Sequence, residues 1–202
     1  MTNLTRPAAK RGPRLSPVFL AGHLALDFLN TRMRLKGELV DVFQSDADVL
    51  DWLKKAGIPA ARPERGTAHD SLLDSARALR EHIRTLVEKR KAGQRGDATL
   101  LNRFLSGAES HPRLVWGQPR ALKVETVRRY HTNEAILGPV AEAAADLLAN
   151  ADFRFVKRCK DATCVLWFAD GTRSHHRRWC SMQLCGNRHK VAAYRRRAHN
   201  GR

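Results

Sequence analysis

All four cysteines of this 202-residue chain, Cys159, Cys164, Cys180 and Cys185, fall in one C-terminal stretch with the spacing C-x4-C-x15-C-x4-C. Two thiols five positions apart can close a tight knuckle on a tetrahedral ion. The 15 residues between the pairs leave room for a β-hairpin that carries the second knuckle back onto the first. A unit this small buries too little apolar surface to fold alone, so metal binding is expected to supply much of its folding energy.

Charge divides the chain in the same place. Residues 1–150 carry 24 basic and 17 acidic side chains, a balance of +7, whereas residues 151–202 carry 13 and 3, a balance of +10. A small basic module joined to a nearly balanced one points to a polyanionic partner, because neutralising phosphates releases counterions. The start, MTNLTRPAAKRGPR, is cationic, but the apolar run after it is short and interrupted by His23 and Asp27, unlike a secretory leader. No run approaches the roughly 20 apolar residues of a membrane-spanning helix. The expected compartment is a reducing cytoplasm, where clustered thiols hold a metal, zinc first, rather than form disulfides.

The reading along the chain is α+β. Residues 1–14 form a basic arm, 15–150 a predominantly helical domain with a small hairpin, and 151–202 a ββα-like four-cysteine finger with a basic C-terminal helix. In the N-terminal domain, His23 to Arg32 is expected to be helical. Ser45 with Asp48 makes a capping box for a helix containing Val49, Leu50, Trp52 and Leu53, stopped by Gly57 and Pro59. The longest helix is predicted from about Asp70 to Lys91, where Leu72, Ala76, Leu79, Ile83 and Leu86 recur at helical spacing. A short helix follows over Ala98–Leu105. Strand-like runs Arg113–Trp116 and Ala121–Val127 flank a Gly-Gln-Pro turn, and Pro139 opens an alanine-rich helix that ends near Asn150.

In the finger, Phe153 and Phe155 alternate with Arg154 and Lys157 as an entering strand. Val165–Ala169 is expected to leave the first knuckle, turn at Asp170-Gly171 and return through Trp179 to Cys180. Ser181 caps a helix starting near Met182, with Cys185 in its first turn, where the helix end favours a thiolate. A helical wheel puts Leu184, Val191, Tyr194 and Ala198 on an inner stripe with Arg188 and Arg195 at its edge. His189, Lys190, Ala193, Arg196 and Arg197 then face solvent. That outer face suits a phosphate backbone or a major groove, with His189 able to reach a base edge. Arg177 and Arg178 would also attract phosphates, and Trp167 is expected beside the knuckles, with a stacking platform as its other use.

The run RRWCSMQLCGNRHK, Arg177 to Lys190, resembles the CGNR zinc-finger family, whose tetrapeptide here is Cys185-Gly186-Asn187-Arg188. Upstream, LALDFLNT at Leu24–Thr31, the segment around Trp52 and ARALR at Ala76–Arg80 resemble the N-terminal ABATE domain that accompanies this finger. The resemblance implies zinc on Cys159, Cys164, Cys180 and Cys185, and a role in transcription regulation. Asn187 and Arg188 are then expected to support the metal site rather than touch nucleic acid. Where relatives carry an asparagine-glycine turn, this chain has Ser174-His175-His176.

No phosphate-binding glycine loop, nucleophile elbow or paired carboxylates can be read, and four thiolates close a zinc coordination sphere against water, so the chain is not expected to be an enzyme. The partner expected is nucleic acid, duplex DNA first, with RNA binding or protein interaction as the alternatives. The N-terminal domain leaves room for a small-molecule effector under LALDFLNT and for a homodimer through the long helix.

Overall fold

The computed structural model of the chain describes residues 17–35, 37–59 and 71–200, so the arm at 1–14 and Asp70 lie outside the described residues. Helix α1, Leu24–Leu29, starts at His23, whose Nδ1 accepts from the Ala25 amide at 3.3 Å. A hairpin follows, β1 (Arg32–Leu35) and β2 (Glu38–Asp41), paired antiparallel from Arg32↔Asp41 to Leu35↔Glu38. The sequence does not announce this hairpin, because Arg32–Leu35 alternates over only four positions and Glu38–Asp41 does not alternate. Helix α2, Asp46–Lys55, is capped by Ser45, and Trp52 is fully buried against Phe28 and Phe43, ring centroids 5.3 and 6.1 Å away.

Helix α3, Leu72–Lys91, is the central element and packs on α1 and α2. Its predicted stripe is buried throughout, so this face belongs to the core rather than to a dimer surface. Arg80 is buried in the same helix. Its guanidinium donates to both carboxylate oxygens of Asp41 and, at 2.9 Å, to Thr31 Oγ1, tying the β1–β2 hairpin to α3. Burial alone would raise the Asp41 carboxyl, but the paired hydrogen bonds and charge of Arg80 hold it below the usual carboxylate range.

Helix α4 (Thr99–Ser106) precedes a long antiparallel hairpin, β3 (Ser110–Trp116) and β4 (Leu122–Arg128), which extends the two predicted runs toward their base. Helix α5, Asn133–Asn150, corrects the expectation that Pro139 opens it. It starts six residues earlier, capped by Thr132, whose Oγ1 accepts from the Ala135 amide at 3.1 Å. Gly138 and Pro139 look like helix breakers, yet Ile136, Leu137, Val140 and Ala141 are fully buried here. A Cβ on Gly138 would sit 2.6 Å from Ala108 Cβ, so the glycine permits close packing rather than ending the helix.

The finger comprises β5 (Val156–Arg158), β6 (Trp167–Ala169), a π-helical turn at Met182–Gly186, and α6 (Asn187–Asn200). Phe153 and Phe155 precede the first strand rather than forming it, and β6 pairs back onto β5 from Val156↔Ala169 to Arg158↔Trp167. The hairpin therefore spans the first knuckle, and the expected return strand to Trp179 is a loop instead. Asp170 holds that loop: Lys157 Nζ (2.7 Å), the hydroxyl of Thr172 and the Arg177 amide (2.9 Å) all donate to its carboxylate. Burial would raise this carboxyl, but those donors hold it well below the carboxylate range.

Finger and helical domain share one core. The outer edge of β6 is closed by the N-terminal domain: Asn30 accepts from the Trp167 amide at 2.9 Å and donates to the Trp167 carbonyl at 2.8 Å, while the Ala169 amide donates to the Ala21 carbonyl at 2.7 Å. Asp27 fixes the receiving segment by accepting from the amides of Leu20 and Ala21, at 2.8 and 2.9 Å. Burial raises its carboxyl above the usual range against those two amides.

Candidate metal centre and nucleic-acid interface

Cys159 and Cys164 sit at the tip of the β5–β6 hairpin, Cys180 follows the loop, and Cys185 lies in the π turn capped by Ser181, whose side chain accepts from the amides of Gln183 and Leu184. The four Sγ atoms lie within 4.8 Å of one another. Cys164 to Cys180 is 3.9 Å and Cys180 to Cys185 is 3.5 Å. A zinc–sulfur bond of about 2.3 Å gives a tetrahedron with edges of about 3.8 Å, so the spacing fits one ion. It is far too long for a disulfide, and all four cysteines are free.

The donor chemistry fits as well. The Cys159 thiol is pulled down chiefly by hydrogen bonding with the thiols of Cys164 and Cys180, and Cys185 is pushed up to about 12 by burial and by the charge of Cys164 and Cys159. One thiolate opposes the next until a divalent cation offsets the charge, and an all-sulfur tetrahedral set suits zinc. When bound, zinc crosslinks the two knuckles.

Asp161 organises the ligands' surroundings. Its carboxylate accepts from the Thr163 amide and hydroxyl at 2.9 and 2.7 Å, closing the first knuckle. The same buried group lies 3.7 Å from Arg188 Nη1 and 3.4 Å from His189 Nε2. Arg188 also donates to Thr163 Oγ1 at 3.1 Å and reaches Cys185 Sγ at 3.8 Å, so it bridges the two knuckles. Asn187 is exposed, and its side chain makes no hydrogen bond among the described residues. A Cβ on Gly186 would lie 2.7 Å from Met182 Sδ, so a larger residue there would displace the exposed end of that side chain.

Two of the residues assigned to nucleic acid are spent inside the fold. Arg177 donates to the carbonyls of Leu20 (2.8 Å), Trp179 (3.0 Å) and Cys180 and lies 4.3 Å over the Phe168 ring, so it ties the finger to the segment before α1. His189 stacks on Trp179, centroids 4.0 Å apart and planes 16° apart, with its other edge toward Asp161. A helical wheel with Leu184, Val191 and Tyr194 as its inner stripe turns His189 outward, but those three residues are exposed. Cys185 marks the inner side, and His189 lies one turn beyond it. Trp167 is buried beside the knuckles and offers no platform.

Arg178, Lys190, Arg196 and Arg197 are exposed, as is Arg195, which the helical wheel places at the edge of the inner stripe. Lys190, Arg195, Arg196 and Arg197 have no ion-pair partner among the described residues, and α6 contains no acid. Each acid of the finger is already committed: Asp152 to Arg154, Asp161 to Thr163 and Arg188, and Asp170 to Lys157. The docking role of Asp27 and Asn30 escaped the sequence-based reading. The visible signal for Asp161 is the pattern Asp-x-Thr, which recurs at Asp97–Thr99 and Asp170–Thr172 with the same side-chain turn.

A helical domain whose first helix is clipped to an all-thiolate knuckle pair defines a protein with a structural zinc finger built into its core. Residues 22–151 match the ABATE family, described as "Putative stress-induced transcription regulator", and residues 156–198 match the CGNR zinc finger. The chain belongs to the ABATE family and carries a CGNR zinc finger, with zinc as its metal. No curated protein matches the chain. No helix of the described residues is long and apolar enough to cross a membrane.

Proposed function

We propose that this chain is a DNA-binding regulator, without a reaction of its own, that grips duplex phosphates through α6. The observation that carries the reading is a row of uncompensated cations, Lys190, Arg196 and Arg197, along one side of a helix rooted in the metal site. Such a row gains free energy by displacing condensed counterions. Arg178, 5.5 Å over the Trp179 ring, adds a further cation close to the root of the helix. The contacts are to the backbone rather than to bases, since His189 faces inward; sequence choice then comes from elsewhere on the finger or from duplex shape.

Binding of zinc-loaded protein to labelled duplex DNA and to single-stranded RNA, followed by anisotropy across a salt series, tests this. Arg196→Ala/Arg197→Ala should weaken duplex binding and reduce the slope of log K against log salt by about 1 per lost phosphate contact. Arg177→Ala should instead act through stability. A preference for RNA, or an unchanged slope in the double variant, would refute the reading.

A further inference from the structure

The β3–β4 hairpin carries an apolar face that none of the described residues covers. Side chains directly opposite in an antiparallel pair share a face. One face thus collects the rungs Pro112↔Thr126, Leu114↔Val124 and Trp116↔Leu122. None of these six residues is charged. Leu114, Trp116, Leu122 and Val124 are 64, 73, 51 and 71% exposed. Beyond the base, where Arg128 shares the apolar face, the charges lie on the other face, where Arg113 pairs with Glu125 at 3.4 Å. At the base, Arg128 is bound to Glu142 of α5 through two hydrogen bonds of 2.7 and 2.6 Å, which leaves the three outer rungs projecting. A two-stranded hairpin without a packing partner is marginal in water.

We infer that this face is the self-association surface of the protein, and that two copies pack hairpin against hairpin about a two-fold axis through the Leu114–Val124 rung. Three properties single out a second copy as the occupant. The first is shape: side-chain size grows along the hairpin, from Pro112 and Thr126 through Leu114 and Val124 to Trp116 and Leu122. A two-fold axis at the middle rung reverses that gradient, so Trp116 lies on Pro112 of the second copy and Leu122 on its Thr126, large on small. The second is charge. At a net charge of +17, two copies repel over most of their surface, and an uncharged face is where they meet at least cost. The third is area: the four exposed side chains present on the order of 500 Å² per copy. Joining two faces withdraws on the order of 1,000 Å², the threshold for a specific interface. Edge-to-edge strand pairing would leave Trp116 and Val124 in water, so face-to-face packing is the arrangement that covers them.

The dimer would present two α6 helices to one duplex, but its test needs no nucleic acid, so its failure is distinct from failure of DNA binding. Sedimentation equilibrium of zinc-loaded full-length protein is compared for wild type, Leu114→Glu and the opposite-face variant Arg113→Glu, with circular dichroism and zinc content confirming the fold. Both sites are exposed and outside the core. Wild type should be dimeric, Leu114→Glu should associate at least about 100-fold more weakly, because a carboxylate would be buried against its own copy, and Arg113→Glu should remain dimeric. A wild-type monomer at 200 µM, a Leu114→Glu dimer, or equal loss in both variants would overturn the inference. If wild type is monomeric and Leu114→Glu alone loses binding to phosphatidylcholine–phosphatidylglycerol vesicles, the face belongs to a lipid surface instead.

Discussion

The clip between Asn30 and Trp167 can be tested atom by atom. Asn30 is 2% exposed, and its amide satisfies both backbone groups of Trp167, at 2.9 and 2.8 Å. Asn30→Ala leaves a buried N–H and a buried C=O without partners. At about 1–3 kcal/mol for each orphaned group, the loss is about 2–6 kcal/mol. Asn30→Asp is the sharper probe, because it keeps the shape and the acceptor for the Trp167 amide but turns the donor into a second acceptor facing the carbonyl. Burial and that carbonyl both favour the protonated acid, so the folded-state pKa of the new carboxyl rises above the unfolded value of about 3.9. A raised folded pKa gives stability that is fully present below the unfolded value and is lost as pH climbs through the folded value. The deficit of Asn30→Asp relative to wild type should therefore grow with pH from 5.5 upward by about 1.4 kcal/mol per unit, then level off above the folded pKa. Urea unfolding of zinc-loaded protein, followed by tryptophan fluorescence at half-unit pH steps, reads this out. An Asn30→Ala cost under about 0.5 kcal/mol, or a pH-independent Asn30→Asp deficit, would refute the account of the clip.

Two further outcomes are expected. Removing zinc with a chelator should unfold the two knuckles and cost helical signal from α6, since structural zinc supplies about 10–16 kcal/mol to such units; circular dichroism during chelator titration, and recovery on zinc addition, check it. Replacing Arg80 by Met should cost about 3 kcal/mol, because it removes the paired hydrogen bonds of Asp41 and leaves this partly buried carboxylate only the longer 3.6 Å contact with Arg77. The depressed Asp41 carboxyl contributes stability above its unfolded pKa, lost as pH falls through the folded value, so wild type and Arg80→Met should converge in urea stability below about pH 4.

What could be read from the sequence follows the range of the interactions. The thiols are legible because knuckle chemistry is local, and α3 is legible because five apolar residues repeat at one period along a single helix. Asn30 is opaque because its partner lies 137 positions away, so the LALDFLNT run reads as an ordinary helix rather than as the socket of a distant strand. The outward placement of His189 failed for a different reason. In a unit whose centre is an ion, the inward side of a helix is set by its ligand, so Cys185 and His189 turn in while Leu184, Val191 and Tyr194 turn out. Arg177 shows the same limit: a guanidinium in a basic stretch looks free until the carbonyls of Leu20, Trp179 and Cys180 are placed around it.

The closure of β6 by α1 also changes what the finger can do mechanically. A finger on a flexible tether samples orientations and loses that freedom each time it docks. Here the root of α6 inherits the orientation of the helical body through Asn30, Ala21 and Arg177, so the entropy of aiming the helix is settled during folding. The coupling also runs the other way. Disorder in the knuckles would strip β6 from the socket and open Asp27, Asn30 and Leu20 to water, which makes the state of four C-terminal sulfurs a property felt at the first helix of the chain.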